Sequence, residues 1–238
     1  MSTLLIRLAA PLQSWGAESK FEERRATMRE PTKSGVIGMI AAALGREREE
    51  PIDDLSALKF GVRIDQPGYL LRDYHTAKSS KGKVSYVTHR YYLADAVFLV
   101  GLEGDDNFLH TLDNALCSPI FPLYLGRRSC PPTGRISLGV HGKPIERALL
   151  DTPWQAGEQY QKRVASSSVP HYLTTVIDDS AIGNNRRRDK PTSFSQSHRK
   201  HSYRYVADNP IALAITVKNF RSGIIETAHN AFEALGEE

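Results

Sequence analysis

The residue types best suited to binding an anion are concentrated in one short stretch, Arg29-Glu-Pro-Thr-Lys-Ser-Gly35. Thr32 is a residue type that caps helices, and apolar residues follow it at helical spacing, which predicts a helix over about 33–45. Free N–H groups at the start of a helix favour an anion, and Lys33 and Ser34 add a positive charge and a hydroxyl. The same pattern is typical of a capped core helix with a solvated basic approach, so the stretch alone leaves both interpretations open.

Two other basic segments carry chemistry of the same kind. In the run Gly126-Arg-Arg-Ser129, the glycine permits close backbone approach and the two adjacent arginines can fork onto phosphate oxygens. Between Arg186 and Arg204 there are seven Lys/Arg and one acidic residue, with aromatic residues among them. Basic charge interleaved with aromatic rings suits a nucleic-acid groove, and a flexible solvated loop is the alternative. The candidate nucleic-acid contacts in this block are Arg186, Arg187, Arg188, Arg199 and Lys200.

Composition limits the function classes. The chain has 238 residues, a net charge of +4 and 40% hydrophobic residues, which is typical of one large globular domain or a domain with a small appendage. We find no membrane-length apolar run and no signal-peptide pattern, so we expect a cytoplasmic protein with no membrane partner. Cys117 and Cys130 are too few for a disulfide framework or a cysteine zinc site. The eight histidines show no metal-ligand spacing, so we expect no metal, no cofactor and no metal-dependent phosphate-ester chemistry.

The elements that must position these residues follow a recognisable order. Their pattern is strand, helix, strand, hairpin, strand, helix, strand, with the strands at Thr3–Leu8, 58–64, 96–102 and 121–125. Without the hairpin, this order predicts an α+β fold with a ferredoxin-like, RNA-recognition-like β-α-β-β-α-β core. We expect this core over residues 1–149. Residues 150–238 would form a small C-terminal β-containing part with a basic loop, a strand over 211–217 and a terminal helix over 224–235.

The hairpin over about 70–94 is polar and basic. Its strands can bury little apolar surface by themselves, so we expect a neighbouring subunit or RNA to order it. The residues assigned to this subunit contact are Lys78, Lys81, Lys83 and Arg90.

Four blocks of the sequence together resemble the CasD family, a CRISPR-associated subunit of the type I-E Cascade surveillance complex. They are Pro11-Leu-Gln-Ser-Trp-Gly16, Arg29 to Gly35, Leu71-Arg-Asp-Tyr-His-Thr76 and Tyr124 to Pro131. The resemblance extends to about residue 206. It implies a ferredoxin-like core with a long hairpin, or thumb, and a non-catalytic subunit that holds the 5′ handle of the guide RNA (crRNA). The implied partners are the CasC backbone, the large subunit CasA and, through the complex, target DNA, in RNA-guided antiviral defence.

The RNA-binding surface implied by the resemblance and by the basic pattern comprises Gln13, Trp15, Arg24, Arg25, Arg29, Lys33, Ser34, Tyr74, His75, Arg127, Arg128 and Ser129. Trp15 could equally fill the core, and Tyr74 and His75 could pack at the hairpin base. A competing function is a metal-independent endoribonuclease that processes precursor crRNA, since some relatives have this activity. Its acid and base would come from the hairpin, where His75 and His89 have Tyr74, Tyr86 and Lys78 nearby. We assign no catalytic residue.

Overall fold

A computed structural model describes residues 1–16, 24–78, 85–166, 171–179, 183 and 185–211. The strands in these ranges are β1 (Ser2–Ala9), β2 (Leu12–Gln13), β3 (Arg24–Arg25), β4 (Lys59–Gln66), β5 (Tyr69–Lys78), β6 (Ser85–Ala94), β7 (Val97–Gly104), β8 (Ser137–His141), β9 (Leu173–Asp178), β10 (Asn185–Ser193) and β11 (Lys200–Ile211). The helices are α1 (Lys33–Ala43), α2 (Asp53–Ala57), α3 (Asp106–Cys117), α4 (Ile145–Asp151) and α5 (Glu158–Ala165). Among the described residues, no helix has both the length and the apolar character needed to span a bilayer.

Seven strands form one antiparallel sheet in the order β10-β11-β9-β4-β7-β1-β8. The fold is therefore α+β, as the sequence predicts. Strands β1 and β7 lie inside this sheet and are buried along almost their whole length, since layers cover both faces. In β1, Leu4 and Ile6 face a core shared with α1 and α3, whereas Leu5 faces α4. The alternation of a strand thus produces two cores on opposite faces of the sheet.

Helix α1 begins and ends where local sequence signals place it. The Thr32 hydroxyl accepts a hydrogen bond from the Gly35 N–H at 3.2 Å, and Gly45 lies beyond the last turn with φ +76°. Both are ordinary helix-capping arrangements. The predicted helix at this position is confirmed.

The hairpin β5–β6 is confirmed and belongs to a second, smaller sheet. Strand β6 pairs with β5 along its whole length and, on its other edge, with the short strands β2 and β3. Strand β3 runs parallel to β6, with Arg24 opposite His89 and Arg25 opposite Arg90. This sheet therefore joins the segment upstream of α1 to the hairpin.

Two sequence predictions about strands are wrong. Residues 121–125 form no strand, and the strand that pairs with the outer edge of β1 is β8. Pro122 has no N–H to give to a ladder, and Phe121 is exposed. The basic block is not a loop, because it contains strands β10 and β11 of the main sheet. These strands continue the sheet past residue 150. The predicted strand over 211–217, apart from Ile211 at the end of β11, and the predicted terminal helix lie outside the described residues.

Candidate nucleic-acid interface

The start of helix α1 is buried, and this corrects the role expected of Lys33. Only 3% of Lys33 is exposed, and its ammonium donates to the Leu58 carbonyl at 2.6 Å and to the Asp178 carboxylate at 3.0 Å. Burial lowers the pKa of Lys33, and Asp178 opposes that effect. Ser34 is buried beside it, 9% exposed. The structure does not support a phosphate contact by Lys33, because its ammonium instead binds Asp178 of β9 and the Leu58 carbonyl just before β4.

Gln13 and Trp15 are also interior residues, and each is fully buried. The Trp15 indole N–H donates to the Gln13 side-chain oxygen at 3.1 Å, and the Gln13 amide donates to the Ala96 carbonyl at 2.7 Å. The indole lies directly over Gly35, where an added Cβ would come within 2.8 Å of the ring. Base stacking by Trp15 is therefore not supported, because its ring packs between α1 and the small sheet.

The loop over residues 126–130 exposes Arg128 and leaves Arg127 half-buried. Gly126 has φ +84°, and a Cβ there would lie 1.7 Å from the Ser14 carbonyl oxygen, so only glycine fits. The Leu125 N–H donates to the Cys130 carbonyl at 2.7 Å, which closes the loop. Arg128 and Ser129 are exposed at its tip. The close backbone approach predicted for Gly126 is confirmed, although it is made to protein and not to a ligand.

Arg127 connects this loop to the small sheet. Its guanidinium lies 4.5 Å from the centre of the Tyr92 ring and donates to the Arg25 carbonyl at 3.0 Å. Arg25 pairs with Arg90 in register, and Arg90 and Tyr92 share one face of β6. Three arginines from distant parts of the sequence therefore meet at one place. We call Arg25, Arg90 and Arg127 the arginine cluster.

The hairpin register divides the predicted hairpin residues between two faces. His75 lies on the face of the arginine cluster, with its Nδ1 3.5 Å from an Arg90 nitrogen. Tyr74 pairs with His89 on the other face, where their rings meet edge-on with centres 5.7 Å apart. Tyr74 is 64% exposed, so packing does not account for it. Lys78 is exposed near the end of β5, and Lys81 and Lys83 lie outside the described residues.

Unused hydrogen-bonding capacity is concentrated in the small sheet and the adjoining loop. In the described part of the chain, four buried side-chain nitrogens lack a hydrogen-bond partner, and three of them are His89 Nδ1, Arg90 Nε and Arg127 Nη1. Buried polar atoms in folded proteins are normally bonded, so such a concentration needs an explanation. Two of these atoms are guanidinium nitrogens of the arginine cluster. Guanidinium groups bind phosphate in a fork, so a phosphate oxygen that displaced the groups covering these two atoms would satisfy them.

The remaining predicted residues surround the cluster or lie apart from it. Arg24 enters the sheet beside Arg25, and Arg29 is exposed between β3 and α1. In the basic block, Arg186, Arg188, Arg199 and Lys200 are exposed, whereas Arg187 turns inward to the carboxylates of Glu30 and Asp208. No group of three His, Cys, Asp or Glu residues could hold a metal ion in the ranges that the structure covers.

Two residues of this candidate site differ from the sequence prediction. The sequence predicts a subunit contact for Arg90 and assigns no role to Tyr92. Arg90 and Tyr92 are two residues apart in a predicted strand, and this spacing indicates that both side chains lie on one face of the hairpin. The contribution of Arg25 depends on the β3–β6 register and has no such signal.

Comparison with known proteins identifies relatives of this chain. Residues 3–207 match the family model for the CRISPR-associated protein (Cas_Cas5). The CRISPR system Cascade subunit CasD of Escherichia coli strain K12 is 36% identical, with 75% of this chain and 88% of that protein covered. A crystal structure described as a Cas protein has TM-score 0.69 and 39% identity over 88% of this chain and 95% of its own. A chain of a CRISPR RNA-guided surveillance complex has TM-score 0.71 and 33% identity, and the match covers 87% of this chain and 89% of that chain. This chain therefore belongs to the CRISPR-associated Cas5 family.

Proposed function

We propose that this protein is a non-catalytic subunit of a CRISPR Cascade complex, where it binds the 5′ handle of the crRNA for RNA-guided DNA recognition in antiviral defence. The similarity to a Cascade subunit and to a chain of a surveillance complex supports this assignment. The structural observation that carries it is the arginine cluster with its two unpaired guanidinium nitrogens. Arginines that are already fixed by neighbouring groups lose little conformational freedom when they bind phosphate.

The proposed RNA surface differs from the one expected from sequence. Its centre is the arginine cluster, with Arg128 and Ser129 on the adjoining loop. Arg29 and His75 flank this centre, Arg24 lies beside Arg25 in β3, and Tyr74 would contact RNA from the other face of the hairpin. Gln13, Trp15, Lys33 and Ser34 are left out of this surface, because they are buried.

We also propose that the core is ferredoxin-like. The support is the order β4-β7-β1-β8 within the sheet, with α1 and α3 packed on the same face. In this interpretation β5–β6 is the thumb, an insertion between β4 and β7. The exposed residues Tyr69, Leu70 and Leu71 at the start of β5 would contact a protein neighbour. CasC is the proposed backbone neighbour, and CasA and target DNA are reached through the assembly.

The hairpin geometry favours binding over the competing nuclease function. General acid–base cleavage of RNA needs two proton-transfer groups that converge on one phosphodiester. Because His75 and His89 lie at adjacent levels of the two paired strands, they project from opposite faces of the hairpin. They therefore cannot act together on one bond without a rearrangement of the sheet.

A salt titration of handle binding tests the proposed function. Each phosphate contact to a single strand contributes about −0.7 to the slope of log affinity against log salt. For the full chain and a repeat RNA that carries the handle, we expect Arg127→Ala/Arg128→Ala to weaken binding and to flatten this slope by about 1 to 2 units.

Two double variants serve as controls. Arg127→Lys/Arg128→Lys keeps the charge and should largely keep the slope. Arg147→Ala/Lys162→Ala removes the same charge from exposed positions on α4 and α5 and should leave handle binding unchanged. An unchanged slope for the alanine pair in the loop, with the fold intact by circular dichroism, would refute the proposed site.

A further inference from the structure

The hairpin formed by β10 and β11 has two chemically different faces. Arg187, Asp189 and Arg204 face inward and are engaged with other charged groups. Arg186, Arg188, Tyr203 and Tyr205 face outward, and all four are exposed. We call these four residues the outer patch.

The inward face fixes this hairpin to the rest of the protein. Arg204 donates to both oxygens of Asp189 and to Asp178, and only 6% of Arg204 is exposed. Asp189 also accepts the backbone N–H of Lys33 at 2.9 Å. Because these bonds connect β10, β11, β9 and α1, the outer patch stands on a rigid support.

The outer patch combines cations with half-exposed aromatic rings. The Arg186 guanidinium lies 3.8 Å from the centre of the Tyr203 ring, and that of Arg188 lies at 6.0 Å. Tyr203 is 47% exposed and Tyr205 is 52% exposed. The neighbouring carboxylates of Asp189 and Asp208 are engaged by Arg204 and Arg187. The Asp179 backbone N–H donates to the Tyr205 carbonyl, which places Asp179 beside the outer patch. Its single negative charge is less than the two positive charges of Arg186 and Arg188, so the net charge of the patch is positive.

The outer patch lies apart from the arginine cluster. The Arg204 guanidinium lies 5.0 Å from the Phe60 ring, which belongs to the core shared with α1. Tyr203 and Tyr205 alternate with Arg204, so they project from the opposite face of the seven-stranded sheet. The arginine cluster belongs to the smaller sheet and to the loop over 126–130. One surface can therefore be altered without the other.

Protection of an edge strand explains only part of this composition. Strand β10 is an edge of the main sheet, and exposed cations on an edge discourage pairing with other chains. Two half-exposed tyrosines on the adjacent strand add nothing to that protection. Arginine above a ring, with a second ring beside it, is the arrangement that meets both the phosphates and the unpaired bases of a single strand.

We propose that the outer patch is a second nucleic-acid site and that its ligand is single-stranded. A duplex would present phosphates to Arg186 and Arg188 but would keep its bases stacked away from the tyrosines. An acidic protein would likewise use the arginines alone. Tyr203 and Tyr205 therefore distinguish a single strand from a duplex and from an acidic protein, because only an unpaired strand has bases free to stack on both rings.

Fluorescence anisotropy with the full chain tests this site. The probes are a labelled twelve-nucleotide oligo(U), the matching oligo(dT) and a twelve-base-pair DNA duplex, none of which contains a handle sequence. We expect Tyr203→Ala/Tyr205→Ala to weaken binding of the single strands by about tenfold or more and binding of the duplex by less than about twofold. Arg186→Gln/Arg188→Gln should reduce the salt slope by about 1 to 2 units. A preference for oligo(U) or for oligo(dT) would identify RNA or DNA as the source of the strand.

Matched variants separate stacking from structural damage. Tyr203→Phe/Tyr205→Phe keeps both rings and should bind within about twofold of the unaltered protein. Tyr172 is equally exposed but precedes the other end of β9, and Arg135 is exposed beside β8 at the opposite sheet edge. Tyr172→Ala and Arg135→Gln should therefore have no effect.

Three outcomes would overturn the proposal. One is unchanged single-strand binding by the tyrosine-to-alanine pair. Another is an equal loss on the duplex, or full displacement of the oligonucleotides by polyglutamate at equal charge, either of which would identify a surface for anions in general. The third is loss of all oligonucleotide binding in Arg127→Ala/Arg128→Ala, because the arginine cluster would then account for it. Handle binding by that variant is measured separately, so failure here leaves the proposed function untouched.

Discussion

Arg204 meets the carboxylate of Asp189 at two points, with Nε 2.6 Å from one oxygen and Nη2 2.9 Å from the other. The third guanidinium nitrogen, Nη1, donates to Asp178 at 2.6 Å. These hydrogen bonds and charges outweigh burial and raise the pKa of Arg204. One buried cation thus neutralises carboxylates from two strands.

Removal of this cation should be strongly destabilising. Arg204→Ala leaves Asp189 buried without its partner, and breaking a buried ion pair from one side costs about 3–5 kcal/mol. We expect a loss of that size in the free energy of unfolding, measured by urea denaturation. Arg199→Ala, an exposed position on the same hairpin, should change it by less than about 0.5 kcal/mol. A loss below about 1 kcal/mol for Arg204→Ala would show that water reaches these carboxylates.

Gly126 and Gly134 offer a matched test of backbone approach. Both have positive φ, +84° and +74°, but only at Gly126 would a Cβ meet another group, the Ser14 carbonyl. Gly134→Ala should lower the free energy of unfolding by about 1 kcal/mol, the usual strain of a left-handed residue. Gly126→Ala should lower it by distinctly more, because the added Cβ would also clash with Ser14. Thermal denaturation measures both. Only Gly126→Ala should also weaken handle binding, since it displaces the loop that carries Arg127. Equal losses of stability would contradict the close approach.

The two cysteines should differ sharply in reactivity. Cys117 is exposed, whereas Cys130 is 1% exposed and burial raises the pKa of its thiol. The thiolate is the reactive species, so Ellman's reagent at pH 8 should modify one thiol rapidly and the second only after unfolding. Cys117→Ser should abolish the rapid phase. Two rapid thiols in the native protein would show that the loop over 126–130 opens readily.

Stability should fall on mild acidification because of two histidines. Burial lowers the pKa of His171 and of His201 below the usual value of 6.5. The unfolded chain therefore binds protons more readily than the folded one, and the stability present above pH 6.5 is lost as the pH falls through the folded values. We expect His171→Gln/His201→Gln to reduce the difference in unfolding free energy between pH 7 and pH 5. An unchanged difference in the double variant would contradict the expected shifts.

Purified protein should bind repeat RNA without cutting it, with or without magnesium. The physical reason is that His75 and His89 project from opposite faces of the hairpin, so these two histidines do not converge on one phosphodiester. Denaturing gel electrophoresis of end-labelled repeat RNA is the measurement. Cleavage at the handle boundary that His75→Ala or His89→Ala abolishes would instead establish the endoribonuclease function.

The sequence by itself determined features that depend on near neighbours in the chain. The Thr32 cap and the terminal Gly45 define α1 through hydrogen bonds and dihedral angles within a few residues. The β5–β6 hairpin and the tight approach at Gly126 follow from similarly local signals. The capacity of adjacent arginine side chains such as Arg127 and Arg128 to fork onto phosphate oxygens was evident from residue type alone, and the family was evident from four short blocks.

Only the tertiary structure decided which of the charged and aromatic residues remain at the surface. The Lys33 ammonium is buried against Asp178, a partner 145 residues away, and is therefore not at the surface as expected. Arg187 and Arg186 differ in exposure because the pairing of β10 with β11 turns Arg187 inward and Arg186 outward. The arginine cluster likewise depends on the pairing of Arg25 with Arg90. Local sequence fixes the conformation of a segment, but burial depends on which distant segment covers it, and the covering segment is chosen by the packing of the whole chain.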